Sequence, residues 1–142
     1  MGLIDRFNGQ YDFLSNFYPC KVTVDDLTFN SVEAAFQALK STDVDVRRQF
    51  VDLSPSEAKR LGRRIDLRDD WDDVKVDVME ALLRQKFSDK NPELKEKLLS
   101  TGDDDLVEGN WWNDRFWGVC RGVGENNLGK LLMKIREELR RN

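Results

Sequence analysis

Apolar and polar positions recur along this chain on two different periods, and each period marks a kind of element. Between Asp70 and Phe87, the residues Trp71, Val74, Val78, Met79, Leu82 and Leu83 return every roughly 3.6 positions, which predicts the longest helix of the chain. Leu128, Leu131, Leu132, Ile135 and Leu139 predict a second long helix, and Arg140 and Arg141 suit the negative end of its dipole. A shorter apolar face, Val32, Ala35, Phe36 and Leu39, predicts a helix that Asn30 can cap. Ser54-Pro55-Ser56-Glu57 is a capping box with proline at the first helical position, and that helix should end near Gly62. Short helices are expected from Val44 to Val51 and from Asn91-Pro92 up to Gly102.

A period of two appears in Lys21–Val24 and Leu27–Phe29, on either side of Asp25-Asp26, and reads as a small hairpin. Ile4–Phe7 reads as a short strand ending at Asn8-Gly9. Two aromatic stretches, Phe13–Pro19 and Glu108–Gly118, fit neither period. The expected fold is mainly α with a few short β-strands, of the α+β class, in a single domain over residues 1–142.

Composition narrows the chemistry more than the fold. The 142 residues and 39% hydrophobic content suit one sizeable core, and the 35% charged content, with both signs interleaved, reads mostly as solvated helix surface. A net charge of -4 argues against a general nucleic-acid binder but leaves room for a local basic pocket. There is no histidine, which removes the commonest general base and the serine–histidine triads. Any catalysis must then rest on Asp, Glu, Lys, Arg, Tyr or Cys. Cys20 and Cys120 are too few for a disulfide framework and read as free thiols. With no N-terminal apolar run and no stretch of about 18 apolar residues, the expected location is the cytoplasm, with no membrane contact.

Several segments can carry chemistry. Glu33, Gln37 and Lys40 stand at i, i+4 and i+7, a polar stripe bordering the apolar face of their helix. A carboxylate and an amine on one stripe can divide acid, base and nucleophile roles. The same spacing also allows Glu33 to complete a capping box with Asn30, and Lys40 to face the helix dipole from the last turn. Asn110–Gly118 holds three of the four tryptophans, with Asp114 and Arg115 among them. It can stack a planar base, or it can simply fill the core with Asp114 capping a turn. Ser15 and Asn16 can present polar groups to a ligand or satisfy local backbone. Arg63 and Arg64 can pair with a diphosphate or lie on the surface. Gly122–Gly129 lacks a phosphate-loop pattern but leads into a helix N-terminus, a natural anion site, where Glu125 would oppose a phosphate.

Taken in order, these segments resemble the NADAR family of YbiA-like N-glycosidases. The matching pieces are Phe13–Phe17; Ser31, Glu33, Phe36, Gln37 and Lys40; Gly62-Arg63; Arg68–Trp71; Lys75, Val78 and Met79; Leu106–Glu108; Asn113–Gly118; and Asn126–Met133. Where the family carries Gly-Lys before the last Asn, this chain has Gly124-Glu125, a reversed charge that weighs against phosphate binding at that turn.

The resemblance implies a compact, mainly helical NADAR-like domain without metal or cofactor. It implies hydrolysis of an N-glycosidic bond in a nucleotide-like small molecule. That substrate is either a phosphorylated riboflavin-pathway intermediate or an ADP-ribosylated guanine, including such a base in nucleic acid. By motif position it makes Glu33, Lys40 and Asp114 catalytic, with Lys40 a candidate Schiff-base nucleophile. Ser15, Asn16, Phe17, Gln37, Arg63, Arg64, Trp71, Trp117 and Asn126 become substrate-binding candidates. The chemistry agrees, since breaking a sugar–base bond builds oxocarbenium character that a carboxylate can stabilise without histidine. Two rival readings stand beside it: a module that binds a nucleotide or ADP-ribose without turnover, and a non-catalytic interaction protein with purely structural aromatics.

Overall fold

The computed structural model describes residues 2–142. In chain order it contains β1 (Leu3–Ile4), a 3-10 helix (Gly9–Leu14), β2 (Pro19–Val24), β3 (Leu27–Ser31), α1 (Val32–Ala38), α2 (Val44–Arg48), α3 (Pro55–Gly62), α4 (Trp71–Lys86), α5 (Pro92–Ser100), β4 (Asp105–Leu106), β5 (Gly109–Asn110), β6 (Val119–Cys120) and α6 (Asn127–Arg141). The class is the expected mainly helical α+β. Two units divide the chain, one of Met1–Ser15 with Pro92–Asn142 and one of Asn16–Asn91.

In the Asn16–Asn91 unit, β2 and β3 form an antiparallel hairpin. Asp25 and Asp26 turn it at φ 49 and 67. This is the left-handed region that tight hairpin turns need, and one that Asp tolerates. Val22 and Phe29 face each other across the ladder, fully buried. Gln85 of α4 docks on the strand, accepting from Thr23 N–H at 2.8 Å and donating to Thr23 carbonyl at 2.7 Å. Its amide thereby imitates a neighbouring strand. α1 packs against the hairpin, α3 and α4. Ala34, Ala35 and Ala38 are fully buried on it, and their small side chains let the neighbouring helices come close. α3 begins with the expected capping box between Ser54 and Glu57. α4 buries Trp71, Met79, Leu82 and Leu83 as its period predicts, and also Lys86, which the hydropathy pattern does not reveal.

In the other unit, β1 pairs in parallel with β4, and β5 in parallel with β6. α6 buries Leu128, Leu131, Leu132 and Ile135 and packs against β4 and α5. Gly129 makes that approach possible, because a Cβ there would lie 2.1 Å from the Leu106 carbonyl oxygen. The same helix buries Arg136, whose guanidinium donates to Thr101 Oγ1 at 2.9 Å.

Three expectations change. The strand expected over Ile4–Phe7 is limited to Leu3–Ile4, since the chain turns at Asn8 into a 3-10 helix. Asn30 does not cap α1, because it lies one residue short of the cap and its Oδ1 accepts from Lys21 Nζ; Ser31 caps instead, its hydroxyl accepting from Ala34 N–H at 3.0 Å. The tryptophans at 111 and 112 do not fill a core, being 83% and 48% exposed. Among the described residues no helix is long and apolar enough to cross a membrane.

Candidate functional site

Every residue from Ser31 to Leu39 is buried, including Glu33 and Gln37. A carboxylate and a carboxamide therefore sit within a helix that is otherwise apolar and small. Burying such groups is costly unless they are hydrogen-bonded, which makes the pair a functional clue. Gln37 Nε2 donates to Glu33 Oε2 at 2.7 Å across one helical turn. Glu33 N–H donates to the Asn16 carbonyl at 3.0 Å, so the segment before β2 is tied to the first turn of α1. Asn16 Nδ2 points to Met79 Sδ at 3.6 Å. Asn16 Oδ1 and Gln37 Oε1 are buried without a hydrogen-bond partner among the described residues.

The capping box of Asn30 with Glu33 does not form, since Ser31 takes the cap and Glu33 turns inward. Lys40 lies beyond the C-cap Leu39, so it does not sit in the last turn of α1. Its carbonyl accepts from Arg68 N–H at 2.7 Å, which fixes the chain after the helix. Half-burial pushes the Lys40 amine below its ordinary range; Glu33 opposes this, while Arg63, Lys59 and Lys75 add to it by repulsion. That list also locates Lys40, within electrostatic reach of the Glu33 carboxylate and of cations from α3 and α4.

Around this core, Phe36 packs its ring on buried Trp71, with centroids 5.0 Å apart at 56°. Lys59 Nζ lies 6.0 Å from the centroid of the half-exposed Phe17 ring. Arg63 is the C-cap of α3, and both it and Arg64 are exposed. Gly62 is placed against Gln37, so that a Cβ there would fall 1.9 Å from Gln37 Oε1. Glu33, Gln37, Lys40 and Arg63 thus form one constellation. Lys59 joins it without having been foreseen from the sequence. Lys75 was visible only as part of a motif, with no role attached.

The remaining candidates belong to the unit of Met1–Ser15 and Pro92–Asn142, where local hydrogen bonding explains much of their placement. Asp114 Oδ1 accepts from Phe116 N–H at 3.2 Å and Trp117 N–H at 2.9 Å. Asn110 clamps the same loop, its Oδ1 accepting from Asp114 N–H at 3.0 Å and its Nδ2 donating to the Asp114 carbonyl at 2.9 Å. Trp117 meets the Phe116 ring edge-on at 4.8 Å. Asn126 is buried, accepting from Glu108 N–H at 3.0 Å and donating to the Leu106 carbonyl at 2.9 Å. Ser15 N–H closes the 3-10 helix on the Asp12 carbonyl at 3.0 Å.

The start of α6 does not offer the anion site that its sequence suggests. The N–H groups of Glu125, Asn126, Asn127 and Leu128 donate to the carbonyls of Arg115, Gly118, Phe116 and Trp117. Donors already spent on backbone cannot cradle a phosphate.

The chain is similar to known proteins over nearly its whole length. The model of the NADAR domain family matches residues 5–140. N-glycosidase YbiA of Escherichia coli is 41% identical over 133 residues, covering 91% of this chain and 82% of that protein. N-glycosidase Npun_R5314 of Nostoc punctiforme is 39% identical over 137 residues, covering 92% of this chain and 86% of that protein. The riboflavin biosynthesis protein VVA0006 of Vibrio vulnificus is 41% identical over 133 residues, but this chain spans only 36% of its length. The NMR structure of E. coli YbiA superposes with a TM-score of 0.86 at 38% identity, covering 98% of this chain and 85% of that one. A chain that matches the family model over residues 5–140, and E. coli YbiA in both sequence and structure, belongs to the NADAR domain family, whose relatives include named N-glycosidases.

Proposed function

We propose that this chain is an N-glycosidase that hydrolyses the bond between a ribosyl anomeric carbon and a nitrogen of its heterocyclic substituent, in a phosphorylated substrate. The observation that carries this reading is the buried Glu33 carboxylate beside the Lys40 amine, which is held below its ordinary range. The chemistry runs in two stages. As the carbon–nitrogen bond breaks, its electron pair leaves with the nitrogen, which takes up a proton from solvent that the final hydrolysis returns. Positive charge grows on the anomeric carbon and ring oxygen, and the Glu33 carboxylate offsets it. The Lys40 amine, once deprotonated, adds to the anomeric carbon, the sugar ring opens, and a Schiff base forms. Water then hydrolyses that imine, returning the amine and releasing the free sugar. Water is the only co-reactant consumed.

The cations about Lys40, namely Arg63, Lys59 and Lys75, support a phosphorylated substrate. The names of the V. vulnificus relative and of the maize riboflavin biosynthesis protein PYRR, 38% identical over 144 residues, support a riboflavin-pathway intermediate over ADP-ribosylated guanine. The free thiols of Cys20 and Cys120 fit work in a reducing compartment, the cytoplasm.

Incubation with an aminopyrimidine ribosyl phosphate and, separately, with ADP-ribosylguanosine tests the reading through release of the free base. Glu33→Gln should abolish release, by at least about 100-fold, while circular dichroism stays native. Borohydride added during turnover should leave a sugar adduct on Lys40, detectable by peptide mass. Full activity of Glu33→Gln overturns the role of Glu33. Binding of both ligands without release of base overturns the enzymatic reading in favour of a binding module.

A further inference from the structure

Gln37 lies on the polar stripe of α1 and reads from the sequence as a substrate-binding residue. The structure gives its amide other work. Nε2 donates to Glu33 Oε2 at 2.7 Å, and Oε1 is buried without a hydrogen-bond partner among the described residues. The residue is only 6% exposed. An amide in that state offers a ligand no reachable acceptor, and one of its two N–H donors is already given to Glu33.

The orphaned oxygen sits in the space beside Gly62. A Cβ built there would meet Gln37 Oε1 at 1.9 Å, Cδ at 2.8 Å and Cβ at 3.3 Å. The end of the amide therefore occupies the space that any side chain at position 62 would fill. Gly62 has no unusual φ, so its backbone does not call for glycine, and the space it leaves is its contribution. Ordinarily an unsatisfied buried acceptor is destabilising, and a rotated amide would be the remedy. Here rotation would turn Oε1 toward the Glu33 carboxylate and set two acceptors against each other.

The geometry points to Gln37 as a positioning residue that holds the Glu33 carboxylate in place, and to Gly62 as the gap that lets the amide reach it. This rests on the proposed role of Glu33, and it extends the site to a residue with no polar side chain. Neither is a catalytic residue, since each acts through Glu33.

The experiment follows the Glu33 carboxyl carbon by NMR in the whole chain, with 13C label in glutamate and Glu33→Gln to assign the resonance. Gln37→Met keeps the volume and removes the donor. Because a donated hydrogen bond favours the charged form, the Glu33 midpoint should move to higher pH. Gly62→Ala should move it in the same direction. Its two closest contacts fall on the flexible end of a side chain and only the 3.3 Å contact falls on Gln37 Cβ, so its melting temperature should stay within a few degrees of the parent. In the Gln37→Met background, Gly62→Ala should add no further shift, because its route is already cut. The cations around Lys40 (Arg63, Lys59 and Lys75) are unchanged in every variant. Base release should fall roughly tenfold to a hundredfold in each single variant, with the acid limb of its pH profile following the NMR midpoint.

An unmoved Glu33 midpoint in Gln37→Met overturns the proposal. So does a Gly62→Ala shift that persists undiminished without Gln37. If the parent protein releases no base from either substrate, the proposed function fails instead, while the NMR midpoint still reports on the positioning.

Discussion

Asp114 shows how one side chain can satisfy a structural and a chemical account at once. Its Oδ1 accepts two backbone N–H groups, which is what a loop needs to turn between Asn113, at φ 68, and Trp117. Asp114→Ala should therefore cost about 1–2 kcal/mol in urea unfolding. Asp114→Asn keeps a carbonyl oxygen in that place and should cost less than about 0.5 kcal/mol. If Asp114→Asn is as stable as the parent yet inactive, the carboxylate has a chemical role beyond the turn. If it is stable and active, holding the loop is its whole task.

Lys40 gives a prediction of the opposite sign. Its folded-state pKa lies below the ordinary value of 10.5, chiefly through burial. Between those two values the unfolded chain binds more protons, so stability rises with pH across that window. At neutral pH the charged head is then a net cost to folding. Lys40→Met should raise the melting temperature at pH 7, by about 1–2 °C because solvent screens the half-exposed amine. The gain should fade as the pH approaches 10. A loss at pH 7 would mean that attraction to Glu33 outweighs the burial. Stabilisation coupled to loss of activity is the pattern expected where a site is held against its own stability.

At the scale of elements, legibility followed signal strength. α3 was readable because Ser54, Pro55 and Glu57 act locally, and the structure has the whole capping box. α4 and α6 were readable because their buried faces repeat over several turns. β1, β4, β5 and β6 have two residues each, too short for alternation to register, and their pairing is set by distant partners. α1 was readable as a helix but not as a site. Every residue on it is buried, so a spacing argument could not separate an inward Glu33 from a solvated one. The ordered motifs drew attention to Glu33 and Lys40, whereas the role of Gly62, and Lys59 and the buried Lys86 and Arg136 altogether, needed coordinates. The contact of α6 with β4 is itself testable. Gly129→Ala puts a methyl 2.1 Å from a carbonyl oxygen, where backbone rather than a side chain must yield, and should cost about 1–3 kcal/mol in the same unfolding assay.

For the molecule as a whole, the sequence order of its two units matters as much as their content. Asn16–Asn91 is one uninterrupted stretch holding Glu33, Gln37, Lys40 and Gly62, whereas the other unit is assembled from Met1–Ser15 and Pro92–Asn142. Asp114 and Asn126 are encoded in the last part of the chain. This division was invisible to hydropathy, because no linker or change of composition marks residues 15–16 or 91–92. The parallel pairing of β1 with β4, Leu3 beside Asp105 and Ile4 beside Leu106, joins the unit's two pieces. On a ribosome, β1 emerges early and its partner only after the whole Asn16–Asn91 segment has been made. The hairpin and α1 to α4 can therefore gather while Leu3 and Ile4 still wait, and the nascent chain carries an unpaired apolar strand until β4 arrives.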